Sequence, residues 1–485
     1  MSEAPEDMVR LDPWERHLTE PVRGRKVIIA FEVLAGMTGL VQQLARWGSR
    51  PPLLIPDGRG TGAIPPVEAG EVVMLDETRV ESLTDQVRGR MAPDEQLTEQ
   101  VRDAVERYDP DCTAAWWVSP IGLNEPMLGR DVLGGRPRHQ ADLEDKLRVD
   151  DLLAAVDWPA VPSQVTSTAY DDLMQATLAV VDQTGVEQVV WVGDNRDGLN
   201  GGADYVRWVQ SIDHARDAAE YFAARCDRVR VTAFLDGVPC SIHGIVLPDG
   251  IAVFSPMELI ILREPGEGRF VYSGLGTTWQ PGPHDAAAMR DLARRIGHHL
   301  QTTHDYRGAF GLDGVLTADG FRLTELNARF SGGLSRLQRI APDSHLELVQ
   351  LNALIGRDVG RSAAEIEART MAVLEDNRFV DVIAVAPVRL PDTGSAEVLV
   401  RAGEDRIEVA GPDDLVLGTV FAGPHPLGTF FRFMALDGVI QVGERGAPLS
   451  VLLHEFANRT WDAGITPALI APDVRAPART ETADG

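Results

Sequence analysis

Lysine is nearly missing from this chain: of 46 basic residues only Lys26 and Lys146 are lysines. Cysteine is almost as scarce. Cys112, Cys226 and Cys240 lie far apart and form no C-x-x-C pair. That excludes a disulfide framework or a cysteine zinc site and reads as buried free thiols in a reducing compartment. No apolar run approaches the roughly 18 residues of a membrane helix. The opening stretch MSEAPEDMVRLDPWERH has no apolar signal core. The expectation is a soluble, cytoplasmic protein. Positive charge is in deficit too: 73 acids against 46 bases leave a net charge of -27. Such a surface repels nucleic acid and anionic lipid, so neither is expected as a partner, while a local basic pocket for an anionic ligand stays open.

What is present is ordinary for a globular protein, with 44% hydrophobic and 25% charged residues. At 485 residues the chain is too long for one simple core, so two to four domains are expected. The excess of Arg, together with Ala, Gly, Val and Asp, reads as codon bias. Against that background a retained lysine stands out.

Residues 1–25 read as a loosely ordered lead-in. KVIIAF, PPLLIP, EVVMLDE and CTAAWWVSP read as buried strands, with the pair Trp116-Trp117 in the core. EVLAGMTGLVQQLARWG has helical spacing, and ESLTDQVRGRMAPDEQLTEQVRDAVERY reads as one or two helices interrupted by Pro93. Alternating strands and helices predict a parallel, Rossmann-like domain over residues 22–138. It lacks G-x-G-x-x-G and is assigned no dinucleotide. A second region, 139–368, starts with a helix ending near Trp158. It continues through the strand VEQVVWVG, the loop GDNRDGLNGGADY, consecutive strands from RVRVTAF onward, and the helix HDAAAMRDLARRIGHHLQTTH. His298, His299 and His304, near the end of that helix, read as structural. Residues 369–475 read as an α+β extension, and 476–485 as a disordered tail.

The stretch GLDGVLTADGFRLTELNARFSGG reads as a buriable hairpin that nevertheless carries Asp313, Glu325, Asn327 and Arg329. Side chains of a strand alternate, so Glu325, Asn327 and Arg329 share one face, and Thr324 and Leu326 the other. A three-residue loop, Ala318 to Gly320, pairs Thr317 with Phe321 and sets Asp313 opposite Glu325. A two-residue loop changes the register and weakens that pairing. Carboxylates facing each other repel unless a cation lies between them. Oxygen-only donors suit Mg²⁺, which commonly shares its shell with substrate phosphates.

On these residues the chain resembles the ATP-grasp superfamily, whose signature is an acid in one strand and E-x-N-x-R in the next. The fold implied is of α/β and α+β class: an ATP-grasp fold preceded by a Rossmann-like domain, with a small C-terminal α+β extension. The resemblance implies Asp313, Glu325 and Asn327 as ligands of Mg²⁺, two ions with Mn²⁺ as a substitute, bridging the phosphates of ATP. It implies Arg329 as the residue that neutralises the transferred phosphoryl group or acyl-phosphate. EDKLRVDDLLAAVDWPAVP is similar to the family's D-K element, which makes Lys146 a phosphate contact and catalytic residue. VVWVGDNRDGLNGGADY resembles the Gly-rich loop over the phosphates, with Gly198, Gly201 and Gly202 as contacts and 193–203 as a lid. RVRVTAFLDGVPCSIHG resembles the adenine hinge, with Thr232, Ala233 and Phe234 supplying backbone groups. The family's lysine at the end of VEQVVWVG is missing, because Val192 stands there; Arg196 and Arg207 are candidate substitutes. The hinge acids are also replaced, one by Pro239.

FLDGVPCSIHGIVLPDG, GAFGLDGV and the preceding domain resemble one branch, the pheganomycin-type peptide ligases. The reaction implied joins a carboxylate to an amine through an acyl-phosphate, on amino acid or small peptide substrates of natural-product metabolism. Ser331, Gly332 and Gly333 would shape the acceptor pocket. The missing lysine keeps two alternatives open, an impaired nucleotide-binding protein and a phosphotransferase. His243 is left without a role, and a homodimer is compatible with this reading.

Overall fold

The computed structural model describes residues 11–76, 79–91, 97–390, 396–403, 406–436 and 438–475. Pro93 and the tail 476–485 lie outside the described residues. The N-terminal strands form a five-stranded parallel sheet in the order Glu71–Val72, Leu53–Ile55, Val27–Ala30, Ala115–Trp117, Asp131–Leu133. The last strand is absent from the sequence reading, because three residues with an exposed Asp131 carry little apolar signal. Helix Leu34–Arg46 presents Leu34, Met37, Val41 and Leu44 to the sheet core. Trp116 stacks on Phe31, and Trp117 packs on Trp47. Helices Leu83–Met91 and Glu99–Tyr108 follow, the second capped by Thr98.

A four-stranded antiparallel sheet comes next, in the order Ser163–Ser167, Arg228–Ala233, Val189–Gly193, Val206–Val209. Helices Tyr170–Thr184 and Ile212–Ala223 cover it through one apolar cluster. The hairpin strands Gly308–Thr317 and Gly320–Asn327 lie at one edge of a second, twelve-stranded antiparallel sheet. Strand Val238–Leu247 lies beside them, and helix Pro283–His304 packs underneath.

The sheet does not stop where the C-terminal extension begins. Strand Arg269–Gly276 pairs with Val380–Ala386, and the sheet continues through Gly428–Ala435, Val416–His425, Ala396–Ala402 and Ile407–Val409. Residue 369 falls inside helix Ala363–Asp376, which has a full capping box at Ser362 and Glu365. Strand Val416–His425 is one the sequence reading passes over.

The lead-in is not loose over its described part. Helix Pro13–Leu18 is capped by Asp12, and Leu18 and Val22 are fully buried. Trp14 donates Nε1–H to Val359 O at 2.7 Å and packs edge-on against His345. Buried Trp14 and Leu18, with Asn352 donating to Leu18 O at 2.8 Å, fasten this short helix, a tertiary effect that local polarity hides. The cysteines are free, but Cys112 is exposed in a turn at positive φ, not buried like Cys226 and Cys240. Among the described residues no helix is long and apolar enough to cross a membrane.

Replacing Trp14 with alanine is expected to lower stability by about 3–5 kcal/mol, the range for truncating a buried aromatic. A urea titration reads this as a shifted midpoint, and an unchanged midpoint would show that the N-terminal helix is only loosely docked.

Candidate active site

The hairpin turns through two residues, Ala318 and Asp319, with Thr317 paired to Gly320. The expected three-residue loop is therefore corrected. Asp313 nevertheless faces Glu325, because a β-bulge between Asp313 and Gly314 absorbs Thr324 as an extra residue. The bulge also changes the parity. Phe321 and Leu323 face the core before it, and Leu326 and Ala328 after it. Thr324 is exposed and does not share a face with buried Leu326; its hydroxyl donates to Asp313 O at 3.0 Å. Gly314 has to be glycine here, since a Cβ would lie 2.2 Å from Arg322 O.

On the polar face Asn327 Nδ2 donates to Asp313 Oδ2 at 2.8 Å, and Ser241 Oγ donates to Asp313 Oδ1 at 2.6 Å. Burial first, and the facing Glu325 second, push the Asp313 carboxyl up to about 6. Lys146 Nζ lies 3.0 Å from Glu325 Oε1 and donates to Asn200 Oδ1 at 3.2 Å. Three distant segments thus meet at one buried ammonium. Lys146 sits at the start of a short 3-10 turn, Lys146–Arg148, capped by Asp145. Leu143, Val149 and Leu153 pack with Leu312, Leu323 and Leu326, and this apolar seam holds the segment against the hairpin.

Glu144 and Ser241 are the residues that sequence reasoning missed. Glu144 is buried between two cations: it accepts from Arg329 and, at 3.2 Å, from Arg136 Nη2. Burial raises its carboxyl, but Arg329 and Arg136 outweigh burial and hold it below the ordinary value. Arg136 also donates to Ala328 O at 2.9 Å, next to Arg329. Glu144 stands among Asp142, Asp145, Asp150 and Asp151, so the local sequence did not single it out. Ser241 is found only through the strand pairing that sets it opposite Asp313. His243 shares its face, lies 3.3 Å from Ser241 Oγ, and is pushed down to about 4 by burial, so it is neutral. Gly333 leaves room for that ring, since a Cβ there would meet His243 Cε1 at 2.3 Å. Ser331 Oγ is buried without a hydrogen-bond partner.

The structure does not gather every expected residue. Gly198, Gly201 and Gly202 lie against the N-terminal domain. Arg88 donates to Leu199 O and Gly198 O at 3.2 and 3.3 Å, and Gly201 N donates to Thr84 Oγ1 at 3.2 Å. Gly202 has φ +62°, and a Cβ on it would lie 2.4 Å from Leu83 Cδ1. Asn200, between the glycines, is the loop residue that touches Lys146. In the hinge, Thr232 pairs with both Ser163 and Val190, and Ala233 with Val189. Phe234 N–H donates to Gln188 O at 2.9 Å, and its ring stacks on Trp208. Neither substitute proposed for the lysine missing at Val192 is free. Arg196 pairs with Asp197, and Arg207 lies over the Tyr221 ring. Arg230 is directly across the ladder from Val192, but its guanidinium binds Asp150 at 2.7 and 2.8 Å.

No family model matches the chain, and no curated protein matches it. Solved structures do. Biotin carboxylase from Campylobacter jejuni superposes with a TM-score of 0.52 over 84% of this chain and 87% of its own, at 11% identity. Carboxyaminoimidazole ribonucleotide synthase from Aspergillus clavatus gives 0.48 over 92% and 99%, at 12% identity. Phosphoribosylamine–glycine ligase from Thermotoga maritima gives 0.48 over 89% and 96%, at 13%. At these identities the likeness is one of fold. The chain has an ATP-grasp fold with a Rossmann-like domain in front of it.

The donors of Asp313, Glu325 and Asn327 suit a hard cation. All are oxygens, and Asn327 spends its Nδ2 on Asp313, which leaves Oδ1 to face a metal.

Two outcomes follow. Gly314→Ala is expected to cost about 3 kcal/mol, at the upper end of overpacking, read by thermal unfolding; a neutral result would mean that the bulge can move. Lys146→Met removes one charged contact to the loop, worth about 1.5–3 kcal/mol. Proteolysis of 194–204 should accelerate about tenfold or more, and unchanged cleavage would show that Lys146 is not needed to hold the loop.

Proposed function

We propose that this protein is an ATP-dependent ligase that joins a carboxylate to an amine through an acyl-phosphate, forming amide bonds between amino acids or small peptides in natural-product metabolism. The observation that carries the reading is the convergence of Asp313, Glu325 and Asn327 with Lys146 and Arg329 on one face of the hairpin. The E-x-N-x-R resemblance, and the similarity of the whole to the pheganomycin-type branch, support the same assignment. The biotin carboxylase neighbour is named as a β,γ-ATP complex, which agrees with a nucleotide in this cleft.

An amine cannot attack an anionic carboxylate efficiently; phosphorylation removes the charge and supplies a leaving group. The chain's task is then positioning and charge neutralisation. Asp313, Glu325 and Asn327 would hold Mg²⁺, two ions with Mn²⁺ as a substitute, which when bound neutralises charge on the ATP phosphates. Lys146, beside Glu325, donates to a phosphate oxygen. Glu144 fixes Arg329 through Nη1; among the described residues this leaves Nε and Nη2 of Arg329 for the acyl-phosphate. Loop 193–203, with Gly198, Gly201 and Gly202, excludes water, and the backbone around Thr232, Ala233 and Phe234 borders the adenine. Ser331 to Gly333 shape the acceptor pocket. The reading is of a cytoplasmic enzyme acting on small molecules, alone or as a homodimer.

ADP and phosphate release should appear only when acid and amine are supplied together. Glu325→Gln should lower turnover about a hundredfold or more and raise the Mg²⁺ concentration it requires; turnover and Mg²⁺ dependence that both survive unchanged refute the metal assignment. The cation missing at Val192 favours a second reading in which ATP is bound but not used. Nucleotide binding without ADP release would establish it, and phosphate retained on a stable product would instead mark a phosphotransferase.

A further inference from the structure

Four arginines converge on one cavity of this acidic chain. A hollow of about 440 Å³ lies between helix Gly332–Ile340, which follows Arg329, and the strands Val380–Ala386 and Gly428–Ala435. Its described walls carry Arg336, Arg339, Arg378 and Arg432 against two carboxylates, Asp376 and Asp381. Asp381 is buried and is shared: Arg336 donates to it, and Arg432 donates to it at 2.6 and 3.1 Å. One carboxylate between two guanidinium groups leaves a positive surplus. Arg339 stands exposed at the mouth, within the field of Asp381 but in no ion pair among the described residues. Partial burial first, and then the guanidinium groups of Arg336 and Arg432, push Arg339 down to about 10. Arg378 donates to Thr277 O at 3.4 Å, and its buried Nε has no hydrogen-bond partner.

Helix Gly332–Ile340, whose Arg336 and Arg339 line the cavity, follows closely on Arg329 of the candidate site. Helix Gly332–Ile340 carries the chain from the polar hairpin to Arg339, a rise of roughly 10 Å. A network needed only to join the C-terminal strands to the helix is complete with Arg336, Asp381 and Arg432. Arg339 and the open Nε of Arg378 lie outside that network. Four guanidinium groups against two carboxylates keep a positive surplus, and a further carboxylate or phosphate among them gains charge-assisted hydrogen bonds.

We infer that this cavity binds an anionic group, a carboxylate or a phosphate, of the acid that the enzyme activates, so that this substrate carries a second anion besides the reacting carboxylate. The inference rests on the ligase reading for its substrate, but not for the site itself. The test uses calorimetric titration of the full chain, with saturating MgADP, by inorganic phosphate and separately by succinate. At least one probe should bind saturably. Arg339→Gln and Arg378→Gln should each weaken it about tenfold or more. Arg216→Gln, an exposed arginine paired with Asp213, should leave it unchanged. Tighter phosphate binding assigns a phosphorylated acid, and tighter succinate binding a dicarboxylic one. No saturable binding, or equal binding in the Arg339 and Arg378 variants, overturns the inference. If the probes bind as expected but no acid–amine pair releases ADP, the ligase reading falls and the anion site stands.

Discussion

Thr324 is the extra residue on which the polar face of the hairpin depends. Without the bulge, the strand that buries Phe321 and Leu323 would bury Glu325 and Asn327 with them. One added residue reverses the alternation at mid-strand, so Leu326 and Ala328 return to the core while Glu325 and Asn327 face Asp313. Gly314 opposite makes the arrangement sterically feasible. The contacts of Lys146 with Glu325 and of Asn327 with Asp313 assume this geometry.

Electrostatics then bind distant segments together. Two buried acids, Glu144 and Asp381, each sit between two arginines, and Lys146 sits between Glu325 and Asn200. Breaking such buried contacts leaves an uncompensated charge, which costs far more than a surface pair contributes. The chain has a large negative surplus overall, yet it balances acids with buried cations at the hairpin and gathers a surplus of arginines at the cavity beside helix Gly332–Ile340. Bulk charge repels polyanions, whereas these local fields suit small anions.

The Gly-rich loop connects the cleft to the N-terminal domain. Its glycines give space to Leu83 and Val87, and Arg88 and Thr84 hold its backbone. The loop is therefore held by the helix Leu83–Met91 as well as by Lys146. The N-terminal domain is thereby coupled to the cleft through direct contacts.

Strand and helix alternation, the parallel N-terminal sheet and the acids of the hairpin were legible in the amino-acid order, because period and turn chemistry are local properties of the backbone. Lys146 was legible because lysine is so rare here. The bulge was not: the loop expected to set Asp313 opposite Glu325 is two residues long, and packing of Leu323 and Leu326 restored the pairing. Glu144 and Ser241 were hidden because their partners lie 185 and 72 residues away. Nothing local around the glycines at 198–202 reveals that Leu83 comes within reach of Gly202. Local periodicity is written residue by residue, but which charge meets which is decided only when remote segments are brought together, and there tertiary structure alone chose.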